Sequence, residues 1–216
     1  MLKAVNLTKK YGELEILKGI SLEVNAGEIV SIVGSSGAGK TTLLQILGTL
    51  DRPDDGTFTI DGINPFKLSQ RELANFRNRK IGFVFQFHQL LPEFDALENI
   101  MIPAMIQGIS KKDAREKAFA LLEKVGLQDR ASHRPNEISG GEQQRIAVCR
   151  ALVNQPNIVF ADEPSGNLDT QNANELHELF FKLREELNQT FVIVTHNQHL
   201  AKQADRMLQM QDGLMV

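Results

Sequence analysis

Short apolar runs bounded by glycine or polar residues alternate along the chain with segments of helical periodicity. Residues 28–34 (EIVSIVG), 158–163 (IVFADE) and 191–196 (FVIVTH) have the nearly uninterrupted apolar pattern of buried strands. A helix is predicted directly after the first of these strands, at residues 41–50. This alternation is typical of an α/β protein with a largely parallel sheet. Because ligands of open α/β sheets bind at the carboxyl ends of the strands, the polar residues that end these runs are candidate site residues.

The middle of the chain, at about residues 87–150, lacks strand patterns and shows helical periodicity instead. Ser110 and Asp113 can cap one helix of this region. The apolar face of that helix is predicted to be Ala114, Ala118, Leu121, Leu122 and Val125. We therefore predict one domain, with an α/β core at about 1–86 and 151–216 and a helical subdomain inserted at about 87–150.

A longer amphipathic helix is predicted at residues 172–188, within the second part of the α/β core. Its apolar stripe, predicted to pack into the core, is Leu176, Leu179, Phe180, Leu183 and Leu187.

Charge and composition narrow the functional classes. The chain has 216 residues, a net charge of −3 and an isoelectric point near 6.0, which argues against a nucleic-acid-binding protein. A local basic group, interpreted as a solvated helix face, consists of Arg71, Arg77, Arg79 and Lys80. The single cysteine, Cys149, excludes an intrachain disulfide and is expected to be inert core. No signal-peptide pattern and no run of about 18 apolar residues occurs, so we expect a soluble, cytoplasmic protein.

Residues 34–41 (GSSGAGKT) match the phosphate-binding pattern G-x-x-x-x-G-K-[ST] between a predicted strand and a predicted helix. In such loops backbone N–H groups and the helix N-terminus bind phosphate oxygens. The lysine, Lys40, is expected to reach the β- and γ-phosphates, and the Thr41 hydroxyl to ligate Mg²⁺. The candidate nucleotide-binding residues are Gly34, Ser35, Ser36, Gly37, Ala38, Gly39, Lys40, Thr41 and Thr42.

The strand at 158–163 ends in an acidic pair that complements this loop. Asp162 is expected to hold Mg²⁺ through water, and Glu163 to activate an attacking water. A strand that merely ends in a capping acidic pair is the structural alternative. Together with the phosphate loop, the pair predicts a nucleoside triphosphatase.

A second glycine pair opens another predicted helix, in the sequence SGGEQQR at 139–145. Ser139 and Glu142 can form a capping box unaided, which is the structural alternative. However, a capping box does not need two glycines, each of which disfavours the helix by up to about 1 kcal/mol relative to alanine. We interpret Gly140 and Gly141 as space for a ligand, and the bare N–H groups of the helix end as a site for an anion. The candidate nucleotide-binding residues here are Ser139, Gly140, Gly141 and Glu142.

Taken together, the phosphate loop, SGGEQQR, ADEP and a later lone histidine resemble the ATP-binding-cassette (ABC) ATPases over essentially the whole chain. The family usually has leucine where this chain has Ile138. The resemblance implies a P-loop (RecA-like) core with a helical subdomain, ATP and Mg²⁺ as ligands, and a head-to-tail homodimer. Each ATP would then lie between the phosphate loop of one chain and the SGGEQ helix of the other.

Further roles follow from this resemblance. Tyr11 is placed as the adenine-stacking aromatic, with a half-buried strand tyrosine as the alternative. Asp169, in the sequence SGNLD at 165–169, resembles the acidic residue of a loop that couples the two sites. His196 resembles the switch histidine that contacts the γ-phosphate; a metal site formed with His199 is disfavoured because no carboxylate or cysteine cluster accompanies them. Lys40, Gln86, Glu163 and His196 are the residues predicted to act in catalysis.

Residues 82–94 (GFVFQFHQLLPEF) combine aromatic residues with a single central glutamine. The resemblance places Gln86 at Mg²⁺, together with Thr41 and Asp162, and implies that two integral membrane subunits dock near Gln86–Phe94. This stretch resembles most the ABC ATPases that power lipoprotein release from the bacterial inner membrane. A macrolide or peptide exporter, a cell-division ATPase, and a soluble switch in repair or translation remain alternatives, as does simple packing of these aromatics at the subdomain interface.

Overall fold

The computed structural model describes all residues, 1–216. The strands are β1 Leu2–Tyr11, β2 Leu14–Val24, β3 Ile29–Val33, β4 Asp55–Ile60, β5 Ile81–Phe85, β6 Ile158–Asp162, β7 Thr190–Val194, β8 Arg206–Gln211 and β9 Leu214–Met215. The helices are α1 Lys40–Leu47, α2 Gln70–Lys80, α3 Ala96–Ile106, α4 Lys111–Lys124, α5 Gly140–Leu152, α6 Thr170–Leu187 and α7 Gln198–Gln203. Short 3₁₀ turns lie at Pro65–Lys67, Gln128–Arg130 and Pro135–Glu137.

The central sheet has six strands in the order β5-β6-β7-β3-β8-β9, and all neighbouring strands except β8 and β9 are parallel. All five residues of β3 and all five of β7 are buried, as expected for parallel strands covered on both faces. One face packs against α1 and a second sheet, and the other against α5 and α6. The predicted α/β class with a largely parallel sheet is confirmed.

The second sheet is antiparallel, has the strand order β2-β1-β4 and was not predicted. In β1 the alternation that identifies a half-buried strand is interrupted by register shifts between Ala4 and Leu7 and again near Lys9. Asn6, inside the first irregularity, has a positive φ of 52°. Because a bulge moves later side chains to the other face, no clean period of two can be read from this segment.

Helices α3, α4 and α5 enclose a third apolar cluster, separate from the two that flank the central sheet. The Ser110 hydroxyl accepts a hydrogen bond from the Asp113 N–H at 3.2 Å, which confirms the predicted cap of α4. Ala114, Ala118 and Leu122 are fully buried on its inner face.

The stripe predicted on α6 is buried up to Leu183, but Leu187 is 40% exposed, so its assignment to the core was wrong. Leu187 is the last residue of the helix, directly before Asn188 in the left-handed conformation. None of the seven helices is long and apolar enough to cross a membrane.

Candidate active site

The phosphate loop lies at the carboxyl end of β3 and leads directly into α1. Gly39, which precedes the helix, has φ 97°, a conformation that glycine adopts without strain and other residues rarely do. The Lys40 ammonium donates to the carbonyls of Gly34 at 2.8 Å and Ser35 at 2.9 Å. The lysine is thus folded over the loop, beside the backbone that is predicted to bind phosphate.

A cleft of about 540 Å³ opens beside this loop. It is lined by Ile16, Gly34, Ser36, Gly37, Gly39, Lys40, Thr41, Thr42, Gln86, Glu163, Val194 and His196. The carboxyl ends of β3, β5, β6 and β7 meet at this edge of the sheet, which explains why residues distant in sequence converge here. The structure therefore brings the four residues predicted to act in catalysis to one cleft.

Asp162 ends β6 next to the first turn of α1. Its Oδ1 accepts a hydrogen bond from the Thr41 hydroxyl at 3.4 Å. Burial raises the pKa of this carboxyl, and the nearby Glu163 charge adds to the effect, while the Thr41 hydroxyl opposes it. The Thr41 hydroxyl and the half-buried Asp162 carboxylate, with the Gln86 amide lining the same cleft as Thr41, form an oxygen donor set of the kind that Mg²⁺ binds. The residues present therefore fit this ion.

Glu163 and His196 form a hydrogen-bonded pair at the cleft. The Oε2 atom of Glu163 accepts from the backbone N–H of His196 at 3.1 Å and contacts its Nδ1 at 2.7 Å. Glu163 has φ 45°, a left-handed conformation uncommon for a residue with a side chain. Its N–H still donates to the Val194 carbonyl at 2.9 Å, so the neighbouring strand β7 supports this bend. Two nitrogens of His196, the backbone N and the ring Nδ1, thus lie at Glu163 Oε2, and Glu163 Oε1 has no protein partner.

Gln86 follows β5 and is held by the segment 165–169. Its Nε2 donates to Asn167 Oδ1 at 3.0 Å, and Asn167 Nδ2 donates back to the Gln86 carbonyl at 3.4 Å. Asp169 caps α6 by accepting from the Asn172 N–H at 2.9 Å, and this bond lowers the pKa of the Asp169 carboxyl. The segment thus links the end of β5 to the start of α6.

The second predicted anion site lies apart from the cleft, at the start of α5. Ser139 and Glu142 form the expected reciprocal capping box. Arg130 donates to Glu142 Oε1 at 2.9 Å, and this contact, with the N–H of Ser139, lowers the pKa of Glu142 to about 2.

The two glycines of this helix end have different surroundings. A Cβ on Gly141 would lie 2.1 Å from Asn172 Oδ1, so Asn172 would have to move to accommodate a side chain there. A Cβ on Gly140 would meet nothing closer than Leu168 at 3.9 Å. Packing within one chain therefore explains why position 141 is glycine, but it does not explain glycine at position 140.

Tyr11 ends β1 and does not line the cleft. It is 50% exposed, and its hydroxyl donates to Asp51 Oδ2 at 2.7 Å, a bond that raises the pKa of Tyr11. The Lys9 ammonium lies 5.1 Å from the ring centre. The Tyr11 side chain is thus exposed, and its hydroxyl lies near Thr42, which lines the cleft.

Comparison with known proteins decides the family. The sequence profile of the family described as ABC transporter matches residues 17–166, which is more than half of the chain. The chain belongs to the ABC transporter family.

Relatives of this ABC chain match it over nearly its full length. One from Bacteroides thetaiotaomicron, named lipoprotein-releasing system ATP-binding protein LolD, is 63% identical, with 99% of this chain and 98% of the relative aligned. A protein of the same name from Porphyromonas gingivalis is 60% identical, with 100% of this chain and 98% of the relative aligned.

Solved structures support the same family. A dimeric bacterial ABC transporter cassette superimposes with a TM-score of 0.90 at 41% identity, covering 100% of this chain and 96% of that one. A dimeric post-hydrolysis ATP-binding cassette bound to ADP and Pi gives a TM-score of 0.89, with the same identity and coverage. The ABC ATPase fold and the ATPase class of this chain follow from these matches.

Several site contacts of this ABC ATPase were missed from the sequence. Asn167, the partner of Gln86, lies within a motif from which only Asp169 was assigned a role. Asp51, which binds Tyr11, carries no local signal, because the contact spans 40 residues. His177 had a detectable signal, since it is a polar residue on the buried face of the α6 stripe.

Proposed function

We propose that this chain is the ATP-hydrolysing subunit of a membrane ABC transporter that releases lipoproteins from the bacterial inner membrane. The observation that carries the proposal is the cleft in which Lys40, the Glu163–His196 pair and Gln86 surround one phosphate-binding loop. The cargo is inferred from the lipoprotein-releasing relatives, which align over almost the whole chain. The chain would lie at the cytoplasmic side of the membrane.

Phosphate binding would use the loop 34–42. The backbone N–H groups at the N-terminus of α1 would donate hydrogen bonds to the phosphate oxygens. Lys40 would move from the Gly34 and Ser35 carbonyls to the β- and γ-phosphates. Thr41 and Asp162, with Gln86, would hold Mg²⁺. When bound, this ion neutralises charge on the phosphates.

Hydrolysis would depend on Glu163. Because both His196 donors occupy Oε2, Oε1 is free to accept a proton from an attacking water. His196 thereby orients the carboxylate, and its exposed ring edge can approach the γ-phosphate. Positioning and charge stabilisation then supply most of the rate enhancement, as is general for phosphoryl transfer.

A homodimer would complete the site. The Ser139–Gly141 helix end lies away from the cleft of its own chain, and the open side of Gly140 leaves room for a ligand held by a second chain. The dimeric cassettes among the solved structures support this arrangement. Two ATP molecules would then lie between the two chains.

The segment Gln86–Phe94 is proposed to meet two integral membrane subunits. Its exposed apolar side chains are Phe87, Leu91 and Phe94. Arg150 of α5 donates to the carbonyls of His88 at 2.8 Å and Gln89 at 2.6 Å. Arg150 therefore holds the backbone of this segment, while the exposed apolar side chains of the segment remain available to a partner.

The test is release of a radiolabelled lipoprotein from vesicles that contain the native complex, with ATP and a lipoprotein acceptor. We expect ATP-dependent release with the unaltered chain and almost none with Glu163→Gln, while Cys149→Ala serves as a matched control with normal release. Release of a macrolide or peptide but not of lipoprotein would contradict the proposed cargo. Co-purification with ribosomes or DNA instead of membrane subunits would contradict the transporter assignment.

A further inference from the structure

His177 is buried inside α6, about two helical turns after the helix begins. Its side chain is 3% exposed and does not line the nucleotide cleft. A buried imidazole needs a hydrogen-bond partner. The partner is Ser165, whose Oγ lies 3.0 Å from His177 Nε2.

The direction of this hydrogen bond follows from the other ring nitrogen. His177 Nδ1 is buried and has no partner. Burial lowers the pKa of His177 to about 4, with a smaller contribution from His199, so the ring is neutral at neutral pH. Of the two neutral tautomers, the one protonated at Nε2 leaves only a lone pair unsatisfied at Nδ1 and avoids a buried, unpaired N–H group. Nε2–H therefore donates to Ser165.

Ser165 lies between the two halves of the hydrolytic site. On its N-terminal side, the Gly166 N–H donates to the Glu163 carbonyl at 3.0 Å, so Ser165 lies inside the turn that follows Glu163. Toward the C-terminus, the Leu168 N–H donates to the Ser165 carbonyl at 3.1 Å, and the turn so formed presents Asn167 to Gln86. A bond that fixes Ser165 therefore restrains both Glu163 and Gln86.

We propose that His177 is a positioning residue for ATP hydrolysis: its hydrogen bond to Ser165 holds segment 165–169 so that Glu163 and Gln86 keep their places in the cleft. This inference rests on the proposed ATPase function. It assigns His177 no contact with nucleotide or water, and its effect is expected on turnover rather than on binding.

The test compares steady-state ATP hydrolysis by the full chain and its variants. His177→Leu keeps an apolar side chain in the helix and removes the donor, and Ser165→Ala removes the acceptor. Loss of one neutral hydrogen bond should lower kcat about twofold to tenfold in each variant, with less than a twofold change in KM. The double variant should be no slower than the slower single variant, because both changes break the same contact. His177→Gln, which offers an Nε2–H donor, should restore most of the rate.

Leu183→Ala is the matched control, since Leu183 is also buried in α6 but its apolar side chain forms no hydrogen bond to segment 165–169. It should lower the unfolding temperature and leave kcat unchanged below that temperature. A wild-type kcat in Ser165→Ala, additive losses in the double variant, or an equal kcat loss in Leu183→Ala would overturn the positioning role. If His177→Leu does not fold, Ser165→Ala and His177→Gln decide the question. Absence of ATPase activity in the unaltered chain would instead contradict the proposed function.

Discussion

At the two adjacent glycines that begin α5, Gly140 and Gly141, substitution by alanine should have opposite effects on the stability of the chain. At Gly140 the nearest atom to an added Cβ is 3.9 Å away. Alanine should therefore fit, and its better helix propensity should stabilise the chain by up to about 1 kcal/mol. At Gly141 the Cβ would lie 2.1 Å from Asn172 Oδ1, which must move.

The destabilisation expected for Gly141→Ala comes from the hydrogen bonds that Asn172 makes to Asp169. Its Nδ2 donates to Asp169 Oδ2, and its N–H is held by the same carboxylate. Displacing this side chain breaks one hydrogen bond and strains the packing, which together cost about 1–3 kcal/mol. For a chain of this size about 1 kcal/mol shifts the unfolding temperature by about 2–4 °C. We expect a shift of up to about +4 °C for Gly140→Ala and of about −2 to −12 °C for Gly141→Ala.

Activity should not follow stability at Gly140. If the phosphate of an ATP held by a second chain approaches this backbone closely, Gly140→Ala blocks the approach, and ATP hydrolysis should fall more than tenfold although the chain is more stable. Calorimetric unfolding and steady-state ATPase assays on both variants and the unaltered chain measure the two effects. Near-normal hydrolysis by Gly140→Ala would refute the close approach, and an unchanged unfolding temperature in Gly141→Ala would refute the steric reasoning.

Three further predictions concern single contacts. Because the folded pKa of Glu142 is about 2, against 4.5 in the unfolded chain, its contribution to stability is present above pH 4.5 and is lost as the pH falls toward 2. Arg130→Met should flatten the pH dependence of the unfolding free energy in that window, which acid titrations of both chains would measure; an identical slope would contradict the role of the ion pair. Burial raises the pKa of Cys149 to about 12, so the native thiol should not react with a disulfide reagent at pH 8 but should react fully in denaturant; fast native labelling would contradict its burial. Tyr11→Ala should raise the Kd for ATP by about fivefold or more if the ring stacks on adenine, whereas Tyr11→Phe, which lacks only the bond to Asp51, should change it less than threefold. Equal losses in the two variants would show that the hydroxyl, not the ring, matters.

Local chemistry made the phosphate loop predictable from the sequence. Glycine spacing, the lysine and the threonine identify it without knowledge of distant contacts, and the buried strands before it are equally local patterns. The capping box at Ser139 and the cap at Ser110 were predictable for the same reason, since each depends on residues three positions apart.

The unpredicted parts depend on contacts between distant residues. Contact of Glu163 with His196 requires β6 and β7 to be neighbours and Glu163 to adopt a left-handed conformation, neither of which is visible in the sequence. The hydrogen bond of His177 to Ser165 likewise requires α6 to pack against segment 165–169, which precedes it in the chain. Gly141 was interpreted as space for a ligand, yet Asn172 already explains it, and only Gly140 still supports that interpretation.

The mass of the Glu163→Gln chain in solution with nucleotide, measured by light scattering, tests most directly whether two chains close around ATP. With ATP and Mg²⁺ we expect a particle of twice the 24.1 kDa mass of one chain. Adding Gly140→Ala to the same chain should return it to the monomer. A Glu163→Gln chain that binds ATP yet stays monomeric, or that hydrolyses ATP at the normal rate, would contradict a site closed by two chains around ATP with Glu163 as its base.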